Sequence, residues 1–329
     1  MQSFKKAERI LVFALVISTL LMAAKFIAFW RTDSNAILSD ALESIINVAA
    51  QLFAIFSLRS ARKPGDTGHL YGHGKFEFLS AGFEGALIFI AGVAIIVRSS
   101  FALAEGNVLY HMNEGLIIAG IAGVVNGAMA WVLIKQSKKL HSSALEADGH
   151  HLLSDTLTSF AMLIGLAVVY FTNLVWIDAA VSILFALLIM FTGYRLLRSS
   201  VGRLLDETDH AKVQEIIQTL ESKRKDEWID IHEFRLLKFG NTLHIDCHIT
   251  LPFYMSIKEA HVELEAIEKV ISEESTQPVE VYMHTDPCRP GKSCAICSIK
   301  TCTERMTPFA RKIEWNKEAL LKNEQHHLT

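Results

Sequence analysis

Six stretches of this sequence are apolar for about 20 residues or more: roughly 10–30, 36–58, 78–104, 115–134, 148–172 and 176–197. About 20 such residues carry a helix across a bilayer, and in hydrocarbon only a helix or a closed barrel satisfies its own backbone. The runs therefore predict six transmembrane helices. The first has no small-residue cleavage site and reads as a retained helix, not a signal peptide. Charge alternates between the connections. Lys5, Lys6 and Arg9 precede the first helix, Arg59, Arg62, Lys63 and Lys75 follow the second, and Lys135, Lys138 and Lys139 follow the fourth. Arg195, Arg198 and Arg203 leave the sixth, while the other connections hold little beyond Arg31. By the positive-inside rule both termini face the cytoplasm.

Charged residues crowd after about Val201, so the expected organisation is a membrane domain over 1–203, a soluble domain over 204–287 and a cysteine-bearing tail over 288–329. Past Asp206 the periodicity alternates between helix and strand. "HAKVQEIIQTLESK" is an amphipathic helix; "WIDIHEFRLLKFG" and "NTLHIDCHITL" are strands meeting at Gly240-Asn241, a hairpin signal. "SIKEAHVELEAIEKVISEE" is a second helix and "PVEVYMHTD" a third strand. The order αββαβ suits an α+β, ferredoxin-like sandwich, and a further short helix is expected near 308–322. A net charge of −3 argues against a nucleic-acid partner, and five clustered cysteines do not make a disulfide framework.

The second and fifth helices carry ionisable groups that lipid would not solvate. Asp40, Glu43 and Asn47 stand at i, i+3 and i+7 on one face, and Asp148, His151 and Asp155 repeat that spacing. Two such stripes should turn toward one another, giving Glu43, Asn47, His151 and Asp155 as one imidazole nitrogen and three oxygens. Such a set suits zinc or a similar divalent ion, and metal would compete there with protons. The alternative is interhelical hydrogen bonding at roughly 0.6–2 kcal/mol per pair. Asp40 and Asp148 fit either an ion path or helix packing; Glu84 and Asp178 fit packing or gating.

On these residues the chain resembles the cation diffusion facilitators. The resemblance covers about 5–290 and is carried by E-x-x-x-N in the second helix, H-x-x-x-D in the fifth, "YGHGKFE" at 71–77, "LLDE" at 204–207 and "HTDPC" at 284–288. It implies a homodimeric divalent-metal/proton exchanger with a cytoplasmic ferredoxin-like domain, in a bacterial inner membrane. His151 matches the zinc-type pattern. Glu43 and Asn47 depart from the family's usual His or Asp followed by Asp. That leaves iron, cobalt or manganese open as substrates beside zinc.

Between the second and third helices, Asp66, His69 and His73 have ligand chemistry and loop spacing for an exchangeable site, and the resemblance implies zinc there. It also implies a charge pair between Lys75 and Asp206, and a binuclear zinc site at the dimer interface drawn from His232, His248, His261, His284 and Asp286. In the tail, Cys288, Cys294, Cys297 and Cys302 contain a C-x-x-C and suit zinc or an iron–sulfur cluster; reduced surface thiols are the equal alternative. No nucleophile motif suggests an enzyme. The sequence as a whole points to efflux of a divalent cation, Zn2+ first, in exchange for protons, with a non-transporting metal sensor as the other reading.

Overall fold

The structure, a computed structural model, describes residues 2–32, 35–105, 113–172 and 176–327. It divides into two compact units, Met1–Leu205 and Asp206–Thr329. The first holds six long helices: α1 (Gln2–Thr32), α2 (Asn35–Ala61), α3 (Phe76–Glu105), α4 (Asn113–Leu140), α5 (Ser143–Thr172) and α6 (Trp176–Leu204). Over the described residues, three segments are long and apolar enough to cross a membrane: Phe4–Ile27, Phe76–Phe101 and Ala179–Leu204. Leu20, Ile90, Phe101, Val124 and Phe191 turn outward and stay mostly exposed. An apolar exterior on this scale has to be covered, and lipid covers it.

Small residues let the helices approach. A Cβ on Gly193 of α6 would stand 2.7 Å from the Phe89 nitrogen and 2.9 Å from the Gly85 carbonyl of α3. The two backbones therefore touch there, as close helix packing in lipid favours. At one end of α1, Glu8 takes Arg59 at 2.7 Å and Arg62 at 3.0 Å from the end of α2. Glu77, in the first turn of α3, accepts the Ser142 hydroxyl and the Ala144 amide, and so caps the start of α5.

The second unit runs α7 (His210–Ser222), β1 (Asp230–Phe239), β2 (Thr242–Leu251), α8 (Ile257–Glu274), β3 (Val279–Pro287) and the short α9 (Lys317–Leu320). Asp209 caps α7 through the Lys212 amide at 3.1 Å, and Ser256 and Glu259 close a capping box on α8. Gly240, at φ 60°, turns β1 into β2. The sheet order is β1-β2-β3, with β1 antiparallel and β3 parallel to β2. Ile217 and Ile267 of the helices pack on Ile245 and Ile249 of β2, all fully buried. Each such side chain is worth about 1.5–3 kcal/mol relative to exposure.

In place of the helix expected near 308–322, only Lys317–Leu320 is helical. Side chains take the carbonyl and amide that a longer helix would use. Arg224 holds the Ile313 carbonyl at 2.6 Å and lies 3.9 Å from the Trp315 ring, while Glu221 accepts the Trp315 amide. Trp315 and Leu320 are buried in the core of this unit.

Candidate metal centres

The site in the first unit spans α2 and α5. The Asn47 amide donates to Asp155 Oδ2 at 2.6 Å, and its carbonyl oxygen meets His151 Nε2 at 2.8 Å. Because the Asn47 NH2 is turned to the carboxylate, its Oδ1 faces the imidazole and can only accept. His151 Nε2 therefore carries the proton in this arrangement. His151 is buried. Of the residues expected here, the side chains of Asp40, Glu43 and Asp178 lie outside those described. Nearby, Gln51, Glu84 and Asp148 are all buried; the sequence reading passed over Gln51. It passed over Lys25 too, a buried cation on α1 whose Nζ donates to Ser44 of α2 at 3.0 Å.

The second cluster occupies the loop between α2 and α3. Asp66 Oδ1 accepts the amides of Gly68 and His69 at 2.9 and 2.7 Å, an Asx-type turn. The same carboxylate lies 3.4 Å from His69 Nδ1 and 3.5 Å from His73 Nε2, and the two rings sit 4.3 Å apart. Gly72 at φ 78° allows the tight return that brings His73 back. The amides of His69 and Gly68 hold the Asp66 carboxyl below its ordinary range, so it faces the imidazoles as an anion. The ligand atoms of Asp66, His69 and His73 all lie within 4.8 Å of one another.

The third cluster lies on the sheet face away from α7 and α8. His232, His248 and His284 are direct cross-strand neighbours, and Asp230, Thr250 and Asp286 form the adjacent row. A bulge makes this alignment possible. Glu233, at φ 50°, is an extra residue between His232 and Arg235, so Ile231 and Phe234 both reach the core while His232 points outward. Asp286 Oδ2 lies 2.9 Å from His248 Nδ1 and 3.3 Å from His232 Nε2. Zinc held at about 2.0–2.1 Å by nitrogen and oxygen ligands needs ligand separations near ~3.3 Å, so these donors fit such an ion. His284 borders the group, with its ring 4.6 Å from His248 and Nε2 3.7 Å from Asp286 Oδ1. Beside it opens a cleft of about 460 Å³ lined by Glu233, Asp246, His248 and His284 among others.

His261 is not brought into this group: it stands exposed on α8, 3.4 Å from Glu265. A residue the sequence reading missed is Asp230. Its Oδ2 lies 3.5 Å from His232 Nδ1, the far side of the ring from Asp286. Its two oxygens also receive the His326 amide at 2.9 Å and ring nitrogen at 2.8 Å. Burial pushes this carboxyl up, but the bonds from His232 and His326 outweigh it and hold its pKa at about 2. A carboxylate behind a metal-facing histidine fixes the ring and raises its basicity; "D-x-H" on one strand face was the available signal. Lys75 belongs to the first unit and Asp206 opens the second.

Comparison with known proteins bears on both units. Residues 11–205 match the model of the cation efflux transmembrane domain, and residues 208–288 match that of the cation efflux protein cytoplasmic domain. An uncharacterised transporter of Synechocystis sp. is 32% identical over 272 residues, covering 83% of this chain and 87% of that protein. The cation-efflux pump FieF of Yersinia pestis is 28% identical over 284 residues, covering 84% of this chain and 91% of the pump.

Proposed function

Because the chain belongs to the cation efflux family of transporters, we propose that it exports a divalent transition metal, Zn2+ foremost, by exchanging it for protons. The observation that carries this reading is the Asn47 bridge. The Nε2 that would bind the ion holds a proton donated to Asn47 Oδ1, and Asp155 is occupied by the Asn47 NH2. Metal entry displaces that proton and frees Asn47 Oδ1, Asp155 and His151 as ligands, with Glu43 as the fourth. Protons arriving from the other side restore the bridge and release the ion. His151, of a type that titrates near neutrality, couples the two, and Asp155 neutralises the ion. Asp148, buried one turn from His151, serves the ion path in this reading, and Glu84 is a packing or gating group.

In the same reading all six helices of the first unit span the bilayer, both termini are cytoplasmic, and the membrane is a bacterial inner one. The αββαβ unit is a ferredoxin-like domain that dimerises. Metal bound at His232, His248 and Asp286, with His284 beside them, reports cytoplasmic metal to the transport unit. The loop site at Asp66, His69 and His73 takes a second regulatory zinc, and Lys75 pairs with Asp206. The relative's name, cation-efflux pump, supports export as the direction.

Proteoliposomes containing a metal-sensing dye test the proposal, with Zn2+, Fe2+, Co2+, Mn2+ and Cd2+ offered in turn across an imposed pH gradient. Zinc flux that follows the gradient and is lost in Asp155→Asn is expected. Flux of iron or manganese in place of zinc would keep the exchange and assign its selectivity to Glu43 and Asn47. Flux indifferent to the gradient, or undiminished in the variant, would overturn it.

A further inference from the structure

The segment after β3 begins at Cys288, the last residue of the cytoplasmic-domain match, and metal–proton exchange makes no use of it. It nonetheless has a built interior. Cys288 leaves β3 with its amide bonded to the Leu251 carbonyl at 2.8 Å. Gly291, at φ 86° with open space around it, reverses the chain. A turn started at Arg289 and Ser293 then presents Cys294 and Cys297, both buried. Cys302 comes back within electrostatic reach of Tyr254, whose hydroxyl is pushed above its ordinary range by burial and by this thiol. The four thiols stand in one another's electrostatic reach, Cys288 with each of the other three and Cys297 with Cys294 and Cys302. All are reduced.

Arg305 braces this loop from within. Its guanidinium donates to the carbonyls of Cys294 at 2.8 Å, Cys297 at 2.9 Å and Ile299 at 2.8 Å. A cation tied to the backbone of two cysteine turns holds their shape and stands ready to offset thiolate charge. We propose that Cys288, Cys294, Cys297 and Cys302 form a thiolate centre for a soft transition-metal ion, separate from the imidazole–carboxylate sites.

Cys247 is the internal comparison. It faces the sheet core, where burial pushes its thiol up to about 12, the behaviour of a small apolar filler. Burial also opposes ionisation of Cys294. There the amides of Met306, Gly291 and Thr307 and the Arg305 charge prevail, and the thiol is held below its ordinary range. Among the described residues no three of the sulfurs lie within 4.8 Å of one another. A zinc tetrathiolate has sulfur–sulfur edges of roughly 3.8 Å, so loading draws the 288–302 segment inward about Gly291. Thiolates accept a lone zinc-like ion or an iron–sulfur cluster, and the metal content separates the two.

The test uses the full-length protein, purified in detergent with reductant and without oxygen, and titrated with Co2+. Thiolate ligands give an intense near-ultraviolet charge-transfer band that imidazole and carboxylate ligands do not. We expect that band in the wild type, its loss in the Cys294→Ser/Cys297→Ser variant, and affinity weaker by about tenfold in Arg305→Ala. Iron with acid-labile sulfide in the isolated protein would identify a cluster, and zinc a single ion; either supports the centre. In protein that carries neither zinc nor iron, absence of the band at saturating Co2+ overturns the proposal, as does its persistence in the double variant. Should that variant not fold, alkylation of the wild-type cysteines decides: metal must slow it and a chelator restore it, and an unchanged rate overturns the proposal. Transport is not the readout, so failure here and failure of the exchange reading are told apart.

Discussion

Asp230→Asn keeps the shape of a buried side chain and removes its charge, which makes it the sharpest probe of how the tail and the sheet site are joined. In the folded protein this carboxyl sits at about 2 against an ordinary 3.8, because His232 and His326 satisfy the anion despite its burial. A gap of nearly two pKa units corresponds to about 2 kcal/mol of folded-state preference for the carboxylate. The lowered value fixes the sign: the contribution is complete above about 4 and fades as pH falls toward about 2. At neutral pH the substitution should raise the opening of the chain around His326 by several-fold, with about 30-fold as the ceiling, since about 1.4 kcal/mol is a factor of ten and His232 accounts for part of the preference. Hydrogen exchange of the His326 amide, which donates to Asp230, reads this directly in the full-length protein. The second readout is metal: with His232 no longer held from behind, zinc affinity at the sheet cluster should fall by about 10–100-fold. Unchanged His326 protection with unchanged zinc affinity would refute the reasoning. Loss of protection alone would show a tail anchor with no part in positioning His232.

Three further outcomes follow from the geometry. Asn47→Asp sets a second carboxyl where the amide lies 2.6 Å from Asp155, and two such groups share a proton at neutral pH; one more proton should move per metal ion in a pH-dye flux assay, and an unchanged ratio would contradict this. Gly193→Val drives a side chain into the α3 backbone at 2.7 Å and should destabilise the first unit by about 1–3 kcal/mol, seen as a lower melting midpoint in detergent, whereas an unaltered midpoint would mean that α3 and α6 do not touch there. Asp66, held below its ordinary range by the His69 and Gly68 amides, should keep the loop turn down through mild acid until its own protonation, whereas metal bound there through His69 and His73 should leave earlier as protons compete for the imidazoles; Asp66→Asn should weaken zinc binding at the loop at neutral pH, and unchanged binding in a titration would exclude Asp66 as a ligand.

The helices and strands were legible because burial imposes a period. Leu243, Ile245, Cys247, Ile249 and Leu251 face the core, alternating with His244, Asp246 and His248 on the other face of β2. The same kind of spacing picked out Asn47 on α2 and His151 and Asp155 on α5, which meet. Glu233 was invisible, since a bulge is an interruption of period and its positive φ is not written in a glutamate. The bond from His326 to Asp230 crosses 96 residues, a separation that no local pattern encodes. The short helix expected near 308–322 is confined to Lys317–Leu320, because Arg224 and Glu221, far off in sequence, take the Ile313 carbonyl and the Trp315 amide.

An exchanger differs from a storage site in that its empty state must also be satisfied. A buried charge left bare is costly, and a site needing its ion to stay folded would release it slowly. Each histidine-containing cluster here meets that requirement with its own ligands. Asn47 fills the space between His151 and Asp155, Asp66 is held by backbone amides while facing two imidazoles, and Asp286 lies between His232 and His248. On the proposed reading, the contacts that hold the empty form are among those that metal would replace, so binding trades one set of contacts for another. Free-energy differences between loaded and empty states stay small under that arrangement, and modest changes in metal or proton concentration can move them. The cysteine loop is built otherwise: Arg305 grips the carbonyls of Cys294 and Cys297, and the sulfurs meet backbone amides in place of opposed ligands. Slower release from the thiolates than from the imidazole–carboxylate clusters is the expected consequence, and competition with a chromogenic chelator would measure both rates in one preparation.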